Sequence, residues 1–114
     1  MIETIILTAL ETALEDVPVY MEVPETKPET YVLLEKTGSQ RQDRIDSATF
    51  AVKSIAASLL DAATLNETVK AIMDQLPQLA AEIFAAKLNS DYNFTDIKTK
   101  ERRYQAVYEI TYKE

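Results

Sequence analysis

The chain has 114 residues, of which 46% are hydrophobic, so one domain spanning 1–114 has enough apolar material to bury its own core. It contains no cysteine and no histidine, which removes disulfides, thiolate chemistry, the usual zinc ligand and the usual general base near neutral pH. A net charge of −7 argues against sequence-specific DNA binding, and the lone glycine argues against a phosphate-binding loop. No apolar run approaches the ~18 residues of a membrane span. We therefore expect no catalytic residue, cofactor, metal or membrane contact.

The amino-terminal segment predicts an amphipathic helix from Ile2 to about Leu14. Its apolar residues recur with a period near 3.6 and form one stripe: Ile2, Ile6, Leu10, Ala13 and Leu14. The helix must end before Pro18, because the residue before a proline disfavours helical backbone angles. A short extended piece, Val19 to Glu22, is expected to follow.

The middle of the chain predicts a loop and a β-hairpin. Two prolines between Val23 and Thr30 indicate a semi-rigid loop. The β-formers from Tyr31 to Thr37 predict a strand, the polar run Gly38–Arg44 predicts the hairpin tip, and Ile45 to Ile55 predicts the antiparallel partner. On that partner strand, Ala48, Phe50 and Val52 share one face.

The second half predicts one long helix and two strands. Ser58 resembles an N-cap, and an apolar stripe runs from Leu59 to Leu76 before Pro77 ends the helix. Polar residues, Asn66 among them, are expected to cover the opposite, solvent-facing side. The stretch from Gln78 to Ile83 fits either a short helical turn or a lead-in. Phe84 to Phe94 and Arg103 to Lys113 are predicted strands, the latter with Tyr104, Ala106, Tyr108, Ile110 and Tyr112 on one face.

The element order α-β-β-β-α-β-β predicts an α+β domain. We expect one mostly antiparallel sheet of four to five strands with two helices packed on it. The apolar stripe of the long helix is the predicted main contact between the two layers.

Side chains that could carry chemistry are few. Ser54 and Lys53 are neighbours on a strand and point to opposite faces, so they cannot form a catalytic pair. The many carboxylates are best explained as a solvated surface, and the basic cluster Lys98, Lys100, Arg102 and Arg103 as a solvated turn. The tyrosines of the last strand fit either the core or a half-buried protein interface.

Two polar segments are the candidate contact sites, because loops fixed on a sheet often carry binding residues. The first lies in the proline-containing loop and the second is the hairpin tip. The predicted assembly contacts are Pro24, Glu25, Lys27, Pro28, Gly38, Ser39, Gln40, Arg41, Gln42, Asp43 and Arg44.

Several local strings resemble the tail terminator family of long-tailed bacteriophages and prophages, also called tail completion or head–tail joining proteins. They are Val17-Pro18-Val19-Tyr20, Val23-Pro24, Pro28-Glu29-Thr30-Tyr31-Val32, Glu35-Lys36-Thr37-Gly38, Phe50-Ala51-Val52-Lys53-Ser54, Phe94-Thr95-Asp96 and Arg102-Arg103-Tyr104-Gln105-Ala106-Val107-Tyr108. The resemblance covers nearly the whole chain. The tryptophan that many relatives carry at the end of the third strand is absent, and Ser54-Ile55-Ala56 stands there.

The resemblance implies a structural protein that forms a homo-oligomeric ring, typically a hexamer. Such a ring caps the head-proximal end of the tail tube, stops its polymerisation and joins it to the head connector, while DNA passes through the lumen without specific binding. The implied partners are copies of the chain, the tail tube protein and the head connector protein. The implied location is the bacterial host cytoplasm during assembly and then the virion.

Two kinds of alternative stay open. One is a neighbouring phage part, a head-side connector adaptor or a tail tube subunit. The other is a small cytosolic enzyme or ligand-binding α+β domain, which would need a concave pocket with convergent polar groups, for example around Tyr92, Tyr104 and Asp96.

Overall fold

A computed structural model describes residues 1–114 as one five-stranded sheet with three helices on one of its faces. The strand order is β1-β2-β3-β5-β4, with β1 parallel to β2 and all other pairs antiparallel. The predicted α+β class and element order are confirmed, and α3 is a short addition. The elements are α1 Ile2–Leu14, β1 Val19–Tyr20, β2 Tyr31–Gln42, β3 Ile45–Ala56, α2 Leu59–Asp74, α3 Leu76–Leu79, β4 Ile83–Asn93 and β5 Arg102–Tyr112.

The first helix has the predicted bounds, because its apolar spacing matches one buried face. Ile2, Ile6 and Leu10 are buried at i, i+4 and i+8. Ala13, predicted to belong to the same stripe, is exposed and lines an open groove instead. The apolar stripe is therefore narrower than the sequence suggested.

The long helix begins as predicted at its cap. The Ser58 hydroxyl accepts a hydrogen bond of 3.1 Å from the backbone N–H of Asp61. Val69 and Met73 are fully buried against the sheet. Asn66, predicted on the solvent face, is buried, because its amide donates to the Asp91 carboxylate on β4 at 3.2 Å.

The main core lies between the sheet and the helices. Phe50 and Val52 of β3 and Tyr108 and Ile110 of β5 are fully buried within it. The tyrosines of β5 are mostly core residues: Tyr108 and Tyr112 are buried, and only Tyr104 is half-buried. The Tyr108 hydroxyl meets its hydrogen-bonding need by donating to Asp74 at 2.7 Å.

The β2–β3 hairpin corrects one predicted boundary. Gly38 to Gln42 were assigned to a loop, but they extend β2 and pair with β3, and only Asp43 and Arg44 form the turn. Strands pair through backbone hydrogen bonds, which need no apolar side chains. A polar run can therefore continue β2 once the residues before it have paired with β3. The hairpin is consequently longer and more rigid than predicted.

Candidate assembly surfaces

The two groups of predicted contact residues lie at opposite ends of β2. Pro24, Glu25, Lys27 and Pro28 belong to the loop that precedes the strand, and the second group ends at the hairpin turn. The β2 residues between the two groups are 31–37, and at ~3.3 Å per residue they separate the groups by roughly 23 Å. The structure therefore contains two distinct candidate surfaces and not one composite site.

The proline-containing loop is attached to the connection between β4 and β5. The Lys27 ammonium lies 3.9 Å from the Glu101 carboxylate, which also accepts a hydrogen bond of 3.3 Å from the Tyr31 hydroxyl. Burial, with the Glu101 charge beside it, raises the pKa of Tyr31. Pro24 and Pro28 are half-buried and Glu25 is exposed. This surface combines half-buried prolines with exposed charge.

The distal half of β2 is an open strand edge. From Thr37 to Gln42 every residue is exposed, and β1 pairs only with Val32 and Leu33. Beyond Leu33 no strand covers the outer side of β2. A register shift between Lys36 and Gly38 interrupts the regular geometry of this edge. Such irregularities discourage uncontrolled pairing of an open edge with strands of other molecules.

The hairpin turn holds two non-glycine residues in the left-handed backbone region. Asp43 has φ 52° and Arg44 has φ 68°. Two-residue turns of this kind favour Asn-Gly or Asp-Gly, because a bulky side chain at positive φ is strained. Arg44 makes no hydrogen bond or ion pair with the rest of the chain. Arg44 is thus an exposed cation at a strained backbone angle, and such strain is a feature that contact sites often carry.

Behind the turn, a cross-strand ion pair fixes the hairpin. The Arg41 guanidinium donates to the Asp46 carboxylate at 2.6 Å, and this contact holds the pKa of Asp46 below its ordinary value. Ser39, Gln40 and Gly38 border a shallow polar depression of about 290 Å³. The Thr49 hydroxyl lies in it and donates to Glu109 at 2.9 Å. The hairpin thus presents a rigid polar surface.

The second sheet edge, β4, carries exposed apolar side chains that the sequence did not mark. Phe84 is 55% exposed and Leu88 is 43% exposed. Register shifts beside both of them interrupt the pairing of β4 with β5. A strand whose side chains alternate with period two is expected to bury one of its faces. The register shifts that accompany the exposure of Phe84 and Leu88 cannot be predicted from this alternation.

The structure gives no sign of a metal site or a membrane helix. No three acidic side chains converge in a way that would hold a metal ion. None of the helices combines the length and the hydrophobicity of a membrane crossing. The two concavities of the surface are the polar depression and a groove beside α1, and neither is lined by Tyr92, Tyr104 or Asp96.

Comparison with known proteins gives no family assignment. No family model matches the chain, and no curated protein matches it. Among solved structures, it is similar to a chain of a "Virion of native gene transfer agent (GTA) particle", with a TM-score of 0.49 and 16% identity. The alignment covers 96% of this chain and 84% of that one. A similarity at this level carries no argument about function.

Proposed function

We propose that this chain is a structural assembly protein of a phage or prophage tail. In the proposal, copies of the chain form a ring at the head-proximal end of the tail tube, and the ring is a hexamer, as is typical of the family that the chain resembles. The ring stops tube polymerisation and joins the tube to the head connector. Copies of the chain, the tube protein and the connector protein are its partners, and its place is the bacterial cytoplasm during assembly and then the head–tail junction.

The observation that carries the proposal is the sequence resemblance to tail terminators, and it falls on the scaffold of the sheet. Val17–Tyr20 supplies β1, Tyr31–Gly38 supplies the first half of β2, and Arg102–Tyr108 supplies most of β5. Within the sheet, β1 pairs with β2, and β5 pairs with β3, which separates it from β2. The strings that resemble the family therefore belong to the architecture of the domain.

The surface of the domain suits an assembly role. It offers a hairpin with a strained, exposed Arg44 at one end and a proline-containing loop with an exposed Lys27 at the other. A subunit of a closed ring needs two different surfaces, one for each neighbour, and further surfaces for the tube and the connector. The net charge of −7 is compatible with a lumen that lets DNA pass, since it offers little attraction for phosphates.

The test is deletion of the gene from the phage or prophage that encodes it, followed by electron microscopy of the particles. The proposal predicts overlong tails, or tails that are not joined to heads, and rescue by the wild-type gene in trans. Normal virions from the deletion strain would end the proposal.

A head-side connector adaptor and a tail tube subunit are the nearest alternatives. Native mass spectrometry of the purified chain tests the tube alternative, because a closed ring favours the terminator and open polymers favour the tube subunit. A small enzyme or ligand-binding domain is the more distant alternative. Loss of a metabolite-dependent activity, with normal tails, in the deletion strain would favour it.

A further inference from the structure

An open groove lies between α1 and the segment that connects α3 to β4. Its volume is about 550 Å³, which is within the range of sites that accept a sizeable side chain or loop. The α1 wall is built from short side chains such as Thr8 and Ala9, and the opposite wall includes Leu79, Ala80 and Glu82. Leu79 is 52% exposed in this conformation. The groove is mostly apolar and uncovered.

One acidic side chain lines this groove, and two more lie close to its α1 wall in the chain. Glu82 lines it, Glu11 directly precedes the lining residue Thr12, and Glu15 is the C-cap residue of α1, two positions after the lining residue Ala13. None of these three carboxylates takes part in an ion pair. The first 26 residues contain no lysine or arginine at all. A matching occupant would present an apolar centre surrounded by positive charge.

The loop between β4 and β5 has these properties. Ile97 is 89% exposed, the highest value among the large apolar residues. Hydrogen bonds order this loop, because the Asp96 carboxylate accepts from the backbone N–H groups of Lys98 at 2.8 Å and Thr99 at 3.2 Å. Lys100 closes it with a backbone hydrogen bond to Asp96 and a strained φ of 59°. An apolar side chain is thus held in water on a rigid turn.

The charges next to Ile97 are unpaired cations. Lys98, Lys100 and Arg102 form no ion pair within the chain. The acids of the loop, Asp96 and Glu101, already face Arg103. The loop therefore offers an apolar anchor with three free positive charges, the complement of an apolar groove that Glu82 lines and that has Glu11 and Glu15 near it in the chain.

The groove and the loop lie at opposite ends of β4. Glu82 directly precedes this strand and Phe94 directly follows it, so the 11 residues of β4 separate the two features by about 35 Å. They cannot meet within one molecule. They can meet between molecules, and because they are different surfaces the contact would be heterologous and could close into a ring.

We propose that the Ile97 loop of one copy inserts into the α1 groove of a second copy. Ile97 fills the apolar centre, and Lys98, Lys100 and Arg102 face Glu11, Glu15 and Glu82 of the neighbour. This contact rests on the ring assembly proposed above and names the two surfaces that build it. It also gives the exposed loop, which the sequence suggested was only a solvated turn, a specific role.

The absence of native cysteine allows a direct test by disulfide crosslinking. The double variant Ala9→Cys with Ile97→Cys, oxidised at about 1 mM protein so that even an interface with a Kd of about 1 mM is roughly 40% occupied, should form covalent dimers and higher multimers. Each single variant should form at most a symmetric dimer. A double variant that shows no more crosslinking than the single variants would overturn the proposal.

A competing occupant of the groove is the hairpin tip of the second copy. Ala9→Cys with Arg44→Cys tests it under the same conditions. Stronger crosslinking of this pair than of the Ile97 pair would overturn the assignment of the loop. Weaker crosslinking of this pair supports the assignment of the Ile97 loop. The hairpin tip and the Ile97 loop are both exposed, so a difference in crosslinking reports how well each one complements the groove.

The failure of this contact is distinguishable from failure of the proposed function. Closed multimers of the wild-type chain, together with a double variant that forms no disulfide between residues 9 and 97, would overturn the contact and leave the ring in place. Crosslinking between residues 9 and 97 together with normal tails after gene deletion would leave the contact in place and overturn the role in tails.

Discussion

The Tyr108 hydroxyl donates a hydrogen bond of 2.7 Å to the Asp74 carboxylate, which ties the inner strand β5 to the last turn of α2. Tyr108 is fully buried, whereas Asp74 reaches solvent. Burial, with the Asp74 charge beside it, raises the pKa of Tyr108. This contact joins the two layers, as does the hydrogen bond between Asn66 of α2 and Asp91 of β4.

Replacement of Tyr108 by phenylalanine should lower the free energy of unfolding by about 1–2 kcal/mol, because a hydrogen bond to a charged acceptor is lost while the ring stays packed. Urea denaturation followed by circular dichroism measures this. Tyr104→Phe is the matched control, since Tyr104 is half-buried on the same strand and its hydroxyl has no hydrogen-bond partner in the chain. Equal stability of the two variants would show that the Asp74 contact contributes nothing.

Replacement of Val69 by aspartate should unfold the domain. Val69 is fully buried at the centre of α2, and an unpaired charge there cannot be solvated. Thr68→Asp places the same charge on the exposed side of the same helix turn and should leave a cooperative thermal transition. A soluble Val69→Asp variant that melts cooperatively would show that the stripe does not face the sheet.

Replacement of Arg44 by glycine should stabilise the monomer by about 1 kcal/mol, because glycine adopts positive φ without strain. The same change should weaken assembly if the side chain of Arg44 is a contact, so stability and assembly would move in opposite directions. Thermal denaturation and complementation of the deletion strain measure the two effects. A variant that is more stable and fully functional would remove Arg44 from the contact set.

Acid should loosen the loop that carries Ile97. Backbone hydrogen bonds from Thr99 and Lys98 hold the pKa of Asp96 below its ordinary value of 3.8. A depressed folded-state pKa means that the stabilisation is complete above 3.8 and is lost as the pH falls through the lower value. Amide exchange at Lys98 and Thr99, measured by NMR, should therefore accelerate below about pH 3.8, beyond the intrinsic pH trend seen at exposed amides. The variant Asp96→Asn should weaken the protection already at neutral pH, and unchanged exchange in it would contradict this role of the carboxylate.

The sequence predicted the elements with strong periodicity and missed those decided by distant partners. Helix α1 has its predicted bounds because Ile2, Ile6 and Leu10 alone define a buried face. The extension of β2 to Gln42 was missed because all its distal side chains are exposed, so no alternation marks the strand. Asn66 was placed in solvent because its partner Asp91 is 25 residues away in the chain.

The candidate surfaces were predictable in part. A polar run with one glycine indicated the hairpin, although only Asp43 and Arg44 form its turn. The segment around Ile97 was predicted to be a solvated turn, and Ile97 is 89% exposed in it, but the fixed shape of the turn could not be predicted. The exposure of Ile97 depends on the turn that Asp96 organises, which only the folded loop reveals.

The most direct test of the account is the distribution of tail lengths in the gene-deletion strain, measured by negative-stain electron microscopy with and without the wild-type gene in trans. The account predicts a broad distribution that extends beyond the wild-type length, or free tails without heads, and a return to one length on complementation. Tails of wild-type length that are joined to heads in the uncomplemented strain would contradict it.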